Sequence, residues 1–337
     1  MKRLTWAKSR RHELAHELGT SLVTALDVNT AVRRLVPIAS PLRLAMRRFL
    51  ANRPAVVGLI GILIIAGLCY TTLPWTLTRY NRQRLSAVLQ PPGARHWMGT
   101  DRLGRDLLAR FLLGGAISLA IGLISAGIAV GIGALVGLIA GYAGGRTDAL
   151  LMRMVDVLYG LPTIFLVILL RVALLDRLTA AIAALGFARP QTVAGLLILL
   201  AGIGGVSWLT MARVVRSQVM SLRDQPFVEA ARALGLRPLR IIGRHILPNL
   251  IGTVVVYATL TVPGAILAES FLSFLGLGVQ PPLPTWGNLA AAGVLAINPI
   301  HIQWWLIFWP CAGLTIGLLC LNFLGDGLRD ALDPRSR

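Results

Sequence analysis

Charge is scarce in this chain. Asp, Glu, Lys and Arg make up 14% of its 337 residues, hydrophobic residues make up 55%, and the mean hydropathy is +0.71. A soluble globular domain carries about 25% charged residues, so this balance excludes that class and leaves a polytopic membrane protein. Acidic residues are the rarest charge, 14 against 33 basic, for a net charge of +19. Such a surplus could serve nucleic acid, but the arginines fall mostly in short segments bordering apolar runs, the pattern of membrane topology signals. Cysteine is limited to Cys69, Cys311 and Cys320, each in an apolar stretch without paired spacing, which excludes a disulfide framework and a thiolate metal site. A nucleotide-binding P-loop is also missing, so any ATP hydrolysis must come from another chain and no cofactor is expected in this one. No cleavable signal peptide is expected either, because the first apolar run begins only near Pro54.

What the chain does have is six apolar runs of about the 20 residues that cross roughly 30 Å of hydrocarbon. They are Pro54 to Pro74, Gly115 to Ala140, Met154 to Leu175, Thr192 to Ala212, Asn249 to Ser270 and Trp304 to Gly325. The third carries Arg153 and Asp156 at its start and Arg171 near its end, which snorkelling from the interface would accommodate. Alternating sides puts 23 of the 33 Lys and Arg residues on one face and 10 on the other. The richer face is the cytoplasmic one, so both termini lie inside a cell membrane. Gly127 and Gly131, and then Gly133, Gly137, Gly141 and Gly145, repeat at four-residue spacing in the second run. Residues four apart share a helix face, and glycine there admits another backbone, either of this chain or of a second transmembrane subunit.

Between the fourth and fifth runs lies FVEAARALGLRPLRIIGRHILPN, Phe227 to Asn249. Strong helix formers follow Pro226 and stop at Gly235; Pro238 opens a second short helix, and Pro248 leads into the fifth run. Two short helices meeting at a glycine form an angled bracket, and Ala230, Ala231 and Ala233 leave the first slim enough to enter a groove. In this segment Glu229, Ala230, Ala231, Gly235, Leu247 and Pro248 stand in the register E-A-A, three residues, G, nine residues, I-x-L-P, with His245 in place of the isoleucine.

That register resembles the permease subunits of ATP-binding-cassette importers, in particular the inner-membrane permeases for dipeptides, oligopeptides and nickel. The resemblance also covers RRFLANRPAVVGL, HWMGTDRLGRDLLARFLLGGAISL, AGYAGGRTDALLMRMVDVLYGLP, ESFLSFLGLGVQPPLPTWGNL and NFLGDGLRDALDP, together most of Arg47 to Pro334. The tail before Pro41 and the stretch Val172 to Val193 are longer than in the family. The resemblance implies an all-α polytopic fold of the type I importer permease class in a bacterial inner membrane. Its expected parts are a cytoplasmic tail over 1–41, a first span with its outer loop over 42–114, a core over 115–325 containing a coupling segment over 217–248, and a second tail over 326–337. It also implies a second permease subunit, making a heterodimer, with two cytoplasmic ATP-binding subunits and an extracytoplasmic solute-binding protein. ATP would be bound by the partners, and the substrate would be a peptide or a related small solute. Glu229, Ala230, Ala231, Arg232, Gly235, Leu236, Leu247 and Pro248 would form the ATPase-coupling element, with Glu229 as its polar contact unless it merely pairs with Arg232 or Arg223.

Four further residues are candidates for the pathway or for contact with the binding protein. Glu269, near the outer end of the fifth run, could line the pathway, cap the segment after it, or pair with an arginine. Asp101 and Arg105, with Arg102 and Asp106, could meet the binding protein or form a local network in which Thr100 and Asp101 cap a helix. Trp286, in a proline-rich outer loop, reads as an interface anchor or docking residue rather than core. Two rival functions use other features. His12, Glu13 and His16 spell H-E-x-x-H, a zinc protease signature, but the tail has no apolar core to enclose a site and no further histidine before His96. A secondary transporter driven by an ion gradient would show repeat-related broken helices, and no internal repeat is visible.

Overall fold

A computed structural model of the chain describes residues 41–297 and 302–332. The H-E-x-x-H stretch at His12, Glu13 and His16 lies outside the described residues. The chain divides into two units, residues 1–47 and 48–337. Of the first, only the opening of helix α1 (Pro41–Ala51) is described.

Each long apolar run becomes a helix whose start is set locally. Helix α2 (Arg53–Thr71) opens at Asn52, whose side-chain oxygen accepts the Ala55 N–H at 3.3 Å, with Pro54 in its first turn. The short α3 (Leu73–Arg79) follows, and then α4 (Leu107–Ala143), which starts at Asp106 and stops at Gly144 with φ +66°. Helices α5 (Gly145–Tyr159), α6 (Thr163–Ala184) and α7 (Pro190–Arg223) come next. The bracket comprises α8 (Pro226–Ala233), α9 (Pro238–Ile241) and a π-helical turn over Ile242–Ile246, and it runs directly into α10 (Leu247–Phe274). Helices α11 (Trp286–Val294) and α12 (Trp305–Leu332) complete the chain. Among the described residues no strand forms beyond one isolated bridge between Thr100 and Asp106.

Glycine contacts fix how these helices thread. On α4, Gly133 meets Met211 and the Trp208 carbonyl, Gly137 meets Ala212 and Val215, and Gly141 meets Arg216 and Val219. Both sets of numbers rise together, so α4 and α7 run parallel, and the chain between them must return across the bundle. Helix α6 does so: Val167 packs on Gly202, and Arg171 and Leu175 lie beside Gln191 to Leu196, an antiparallel register. The Gly133 series is therefore an internal contact of this chain. Gly127 and Gly131 face nothing within 4 Å, and Gly145 falls beyond the helix with φ +53°.

Among the described residues five helices are long and apolar enough to span a bilayer, and the bent pair α5–α6 makes a sixth when it is taken as one span, as the parallel course of α4 and α7 requires. The third run is the one whose expected limits fail. Met154 to Leu175 straddles a 90° bend between α5 and α6. Pro162 has no N–H to offer the Leu158 carbonyl and pushes Leu161 out of helical geometry, so the ladder breaks there. Arg153 and Asp156 stay on α5, and Asp156 is held by Arg213 at 2.7 Å instead of snorkelling along the span. Helix α10 runs antiparallel to α4, with Ser118 beside Glu269 and Gly122 against Ile266, and α12 runs antiparallel to α2, with Gly58 against Cys320 and Gly327 against Ala55. One end of the bundle thus holds the start of α2, Gly144 and the whole bracket; the other holds residues 72–106 and 275–297.

Candidate functional site: the bracket and the opposite end

The bracket is welded to the bundle on one side and open on the other. Val228 and Ala231 of α8, Ile241, Ile246 and Leu250 are buried in one cluster with Met211, Val215 and Val219 of α7. Between the buried positions Glu229, Ala230, Arg232 and Ala233 point outward, and Leu234 and Leu239 are 81% and 83% exposed. Such large apolar side chains beside a small-residue helix, exposed among the described residues, have the character of a docking face. Glu229 makes no side-chain hydrogen bond or ion pair among the described residues, so pairing with Arg232 or Arg223 does not occur. Arg232 instead sits 5.8 Å from the centroid of the Tyr142 ring, and Arg223 binds the Gly141 and Tyr142 carbonyls, tying the bracket to the end of α4.

Gly235 is the elbow. Its φ of +74° lies in the left-handed region, and the Gly235 and Leu236 N–H groups close the end of α8 on the Arg232 and Ala231 carbonyls at 2.9 and 3.2 Å. Leu236 folds in to pack on the buried cluster. At the other end of the bracket, Pro248 cannot donate to the Arg244 carbonyl, and the helix widens there into the π turn. Leu247 is half-exposed at its end. His245, the departure from the motif, lies tilted against the ring of Phe227 of α8 at 6.3 Å between centroids, so this position joins the two arms of the bracket. Phe227 carries no motif letter, which is why sequence inspection passes over it.

At the opposite end, Glu269 is fully buried and does not line an open pathway. It has no arginine partner and is held by hydroxyls: Ser118 and Ser270 donate to Oε2 at 3.1 and 3.3 Å, and Ser273 donates to Oε1 at 2.6 Å. Ser118 in turn accepts the Trp286 N–H and Ser273 accepts the Val279 N–H, at 3.3 and 3.2 Å. The carboxyl group is therefore the final acceptor of two relays that pin α11 and the loop before it to α4 and α10. The serines one and four places after Glu269 were a legible signal; Ser118, from another helix, was not.

Trp286 is overturned as a docking residue. It is 1% exposed, the largest fully buried side chain among the described residues, and lies against Gly115, Gly313 and Gly317 with its Nε1 donating to the Phe111 carbonyl at 3.2 Å. A capping box between Thr285 and Asn288 starts α11 at this point and turns the ring inward. The cap of α4 is also not Thr100 or Asp101 but Asp106, which accepts from the Ala109 N–H. Thr100 is buried and ties two loops together, donating to the Ala87 carbonyl and accepting from the Gln90 N–H. Asp101 accepts from the Leu103 and Arg105 N–H groups at 2.9 Å and from Arg105 Nε at 2.7 Å, so Asp101 and Arg105 largely satisfy each other. Among the described residues no group of three or more His, Cys, Asp or Glu could hold a metal ion.

Comparison with known proteins bears on both ends. Residues 133–337 match the family profile described as "binding-protein-dependent transport system inner membrane component", and residues 40–92 match the "N-terminal TM domain of oligopeptide transport permease C". The chain is 42% identical to the oligopeptide transport system permease protein OppC of Haemophilus influenzae, over 87% of this chain and 88% of that protein. It is 41% identical to the dipeptide transport system permease protein DppC of Bacillus subtilis, over 87% and 85% of the two chains. The OppC protein of Escherichia coli K12 is 42% identical, over 87% and 91%.

Proposed function

The chain belongs to the family of binding-protein-dependent transport system inner membrane components, and from that premise we propose that it forms half of the translocation pore of an ATP-driven peptide importer. It is a multi-pass permease rather than an enzyme, as its relatives are transport permeases. Its partners are a second permease subunit, two ATP-binding subunits docked on the bracket from the cytoplasm, and a solute-binding protein at the opposite end. The observation that carries the reading is the two-sided bracket, with Val228 and Ala231 locked into the core while Glu229, Ala230 and Leu234 stay open. A rigid element sharing a core with α7 and continuous with α10 transmits motion of a docked ATPase into two membrane-crossing helices. Substrate passes by alternating access and no covalent bond is made or broken in this chain.

Gly235→Pro tests the coupling. Proline fixes φ near −65°, which the +74° elbow cannot accommodate, so α8 would be re-aimed. The variant is expected to insert normally yet lose ATP-driven uptake of a labelled tripeptide in vesicles holding all subunits. Unchanged uptake would remove the bracket from the mechanism.

A further inference from the structure

The end of the bundle away from the bracket contains a cavity of about 280 Å3 lined by Arg79, Arg82, Arg84, Arg95, His96 and Asp106. Its one carboxylate is already engaged: Asp106 caps α4 and holds His96 Nδ1 at 3.3 Å. Arg79 lies over the Trp75 ring at 5.1 Å. Arg82, Arg84 and Arg95 make no side-chain hydrogen bond or ion pair among the described residues. All four arginines are exposed to solvent, which screens their mutual repulsion, but their like charges around one cavity still favour an anion among them, and a guanidinium fork matches the oxygens of a phosphate.

The walls of the cavity are built rather than incidental. Gly104 has φ +68°, and a Cβ there would strike the Arg84 carbonyl, so the 101–105 turn sits directly on the backbone that carries Arg84. Thr100 bonds the Ala87 carbonyl and the Gln90 N–H from the other side of the same loop. These arginines also occupy the end that the Lys and Arg count makes poor in positive charge, where a basic cluster runs against the topology signal.

The surroundings identify the source of the anion. Helix α2 is 19 residues long, about 28 Å, and ends at Thr71, so α3 starts at the edge of the hydrocarbon and Arg79 lies one to two turns beyond, level with lipid headgroups. Leu77, Leu85 and Trp97 beside the arginines are 55%, 85% and 74% exposed. Cations flanked by exposed apolar side chains, with an Arg–Trp stack, match an amphiphile that offers a charged head and a greasy tail. We propose that this cavity binds the phosphate group of a phospholipid from the leaflet at that end of the bundle.

The test needs neither transport nor the ATPase subunits, so it stands or falls apart from the importer reading. The full-length chain in detergent is mixed with phosphatidylglycerol, with a digalactosyl lipid of the same acyl chains, and with inorganic phosphate, and bound adducts are counted by native mass spectrometry. One phosphatidylglycerol is expected to remain bound where the galactolipid does not. The combined Arg82→Ala, Arg84→Ala and Arg95→Ala variant is expected to hold it at least about ten-fold more weakly. Arg82→Gln alone, a milder change, should weaken it in the same direction and guards against misfolding of the triple variant. Equal retention by wild type and both variants, or equal retention of the two lipids, overturns the proposal. So does displacement of the lipid by millimolar phosphate, which would mean a free-anion site. A triple variant that keeps its lipid but loses capture of the solute-binding protein would make the patch a protein docking surface and overturn it equally.

Discussion

At the scale of single residues, Glu269 shows how a motif letter acquires a physical role. As a lone acid in an apolar run it invites a functional reading, but the structure surrounds it with donors that have nowhere else to point. The Ser118 and Ser273 hydroxyls each accept one backbone N–H, leaving one hydrogen apiece to donate, and Glu269 receives both. Glu269→Leu would strand these donors in a buried site, and each orphaned polar group costs about 1–3 kcal/mol. The variant is expected to lose on the order of 3 kcal/mol of stability, read as a lower unfolding temperature in detergent. Glu269→Gln, which keeps one acceptor oxygen, should fall between the two. A Glu269→Leu chain melting with wild type would show that the relays hold nothing. Trp286 gives the opposite lesson. Its aromatic, proline-rich context belongs equally to exposed interface loops, and only the glycines at 115, 313 and 317, far apart in sequence, reveal that a pocket awaits it.

At the scale of elements, the sequence was most legible where one physical constraint acts alone. Crossing hydrocarbon demands about 20 apolar residues, and five of the six runs each fall on one helix, although α4 starts at Leu107, well before its run, and α7 and α12 continue to Arg223 and Leu332, well past theirs. The elbow at Gly235 and the proline starts of α8 and α9 were equally legible, because left-handed φ and the missing proline N–H are local properties. The third run failed because hydropathy averages over residues and does not register a bend; Pro162 was in plain view but sits inside an uninterrupted apolar count. The glycine series in α4 was legible as a close contact but not as to partner. That ambiguity now separates into two sets. Gly137 faces the backbone of α7, so Gly137→Val should push the two helices apart and lower the unfolding temperature of the isolated chain. Gly131 faces nothing within 4 Å, and Gly131→Val is expected to leave that temperature unchanged. Equal melting of the two variants would contradict the parallel packing of α4 on α7.

At the scale of the whole molecule, the number of crossings and their direction can be tested together. The parallel course of α4 and α7 requires α5 and α6 to cross once between them, so residue 85 and residue 234 are separated by three crossings and lie on opposite sides. If the bent pair only dipped into the bilayer and returned, two crossings would separate them and they would share a side. Which side each faces is a proposal from charge: counting alternate loops of the sequence assigns 23 of the 33 Lys and Arg residues to the side of the bracket, the asymmetry expected of a cytoplasmic face. Leu85 and Leu234 suit the measurement because they are nearly equally exposed, at 85% and 81%, so a difference in labelling reflects sidedness rather than burial. In a chain carrying Cys311→Ser, with Cys69 and Cys320 already buried, Leu85→Cys is expected to react with a membrane-impermeant maleimide in intact spheroplasts. Leu234→Cys should react only after permeabilisation. The reverse pattern would invert the orientation and move the arginine cavity to the cytoplasmic leaflet. Identical behaviour of the two would remove the sixth crossing and contradict the parallel course of α4 and α7.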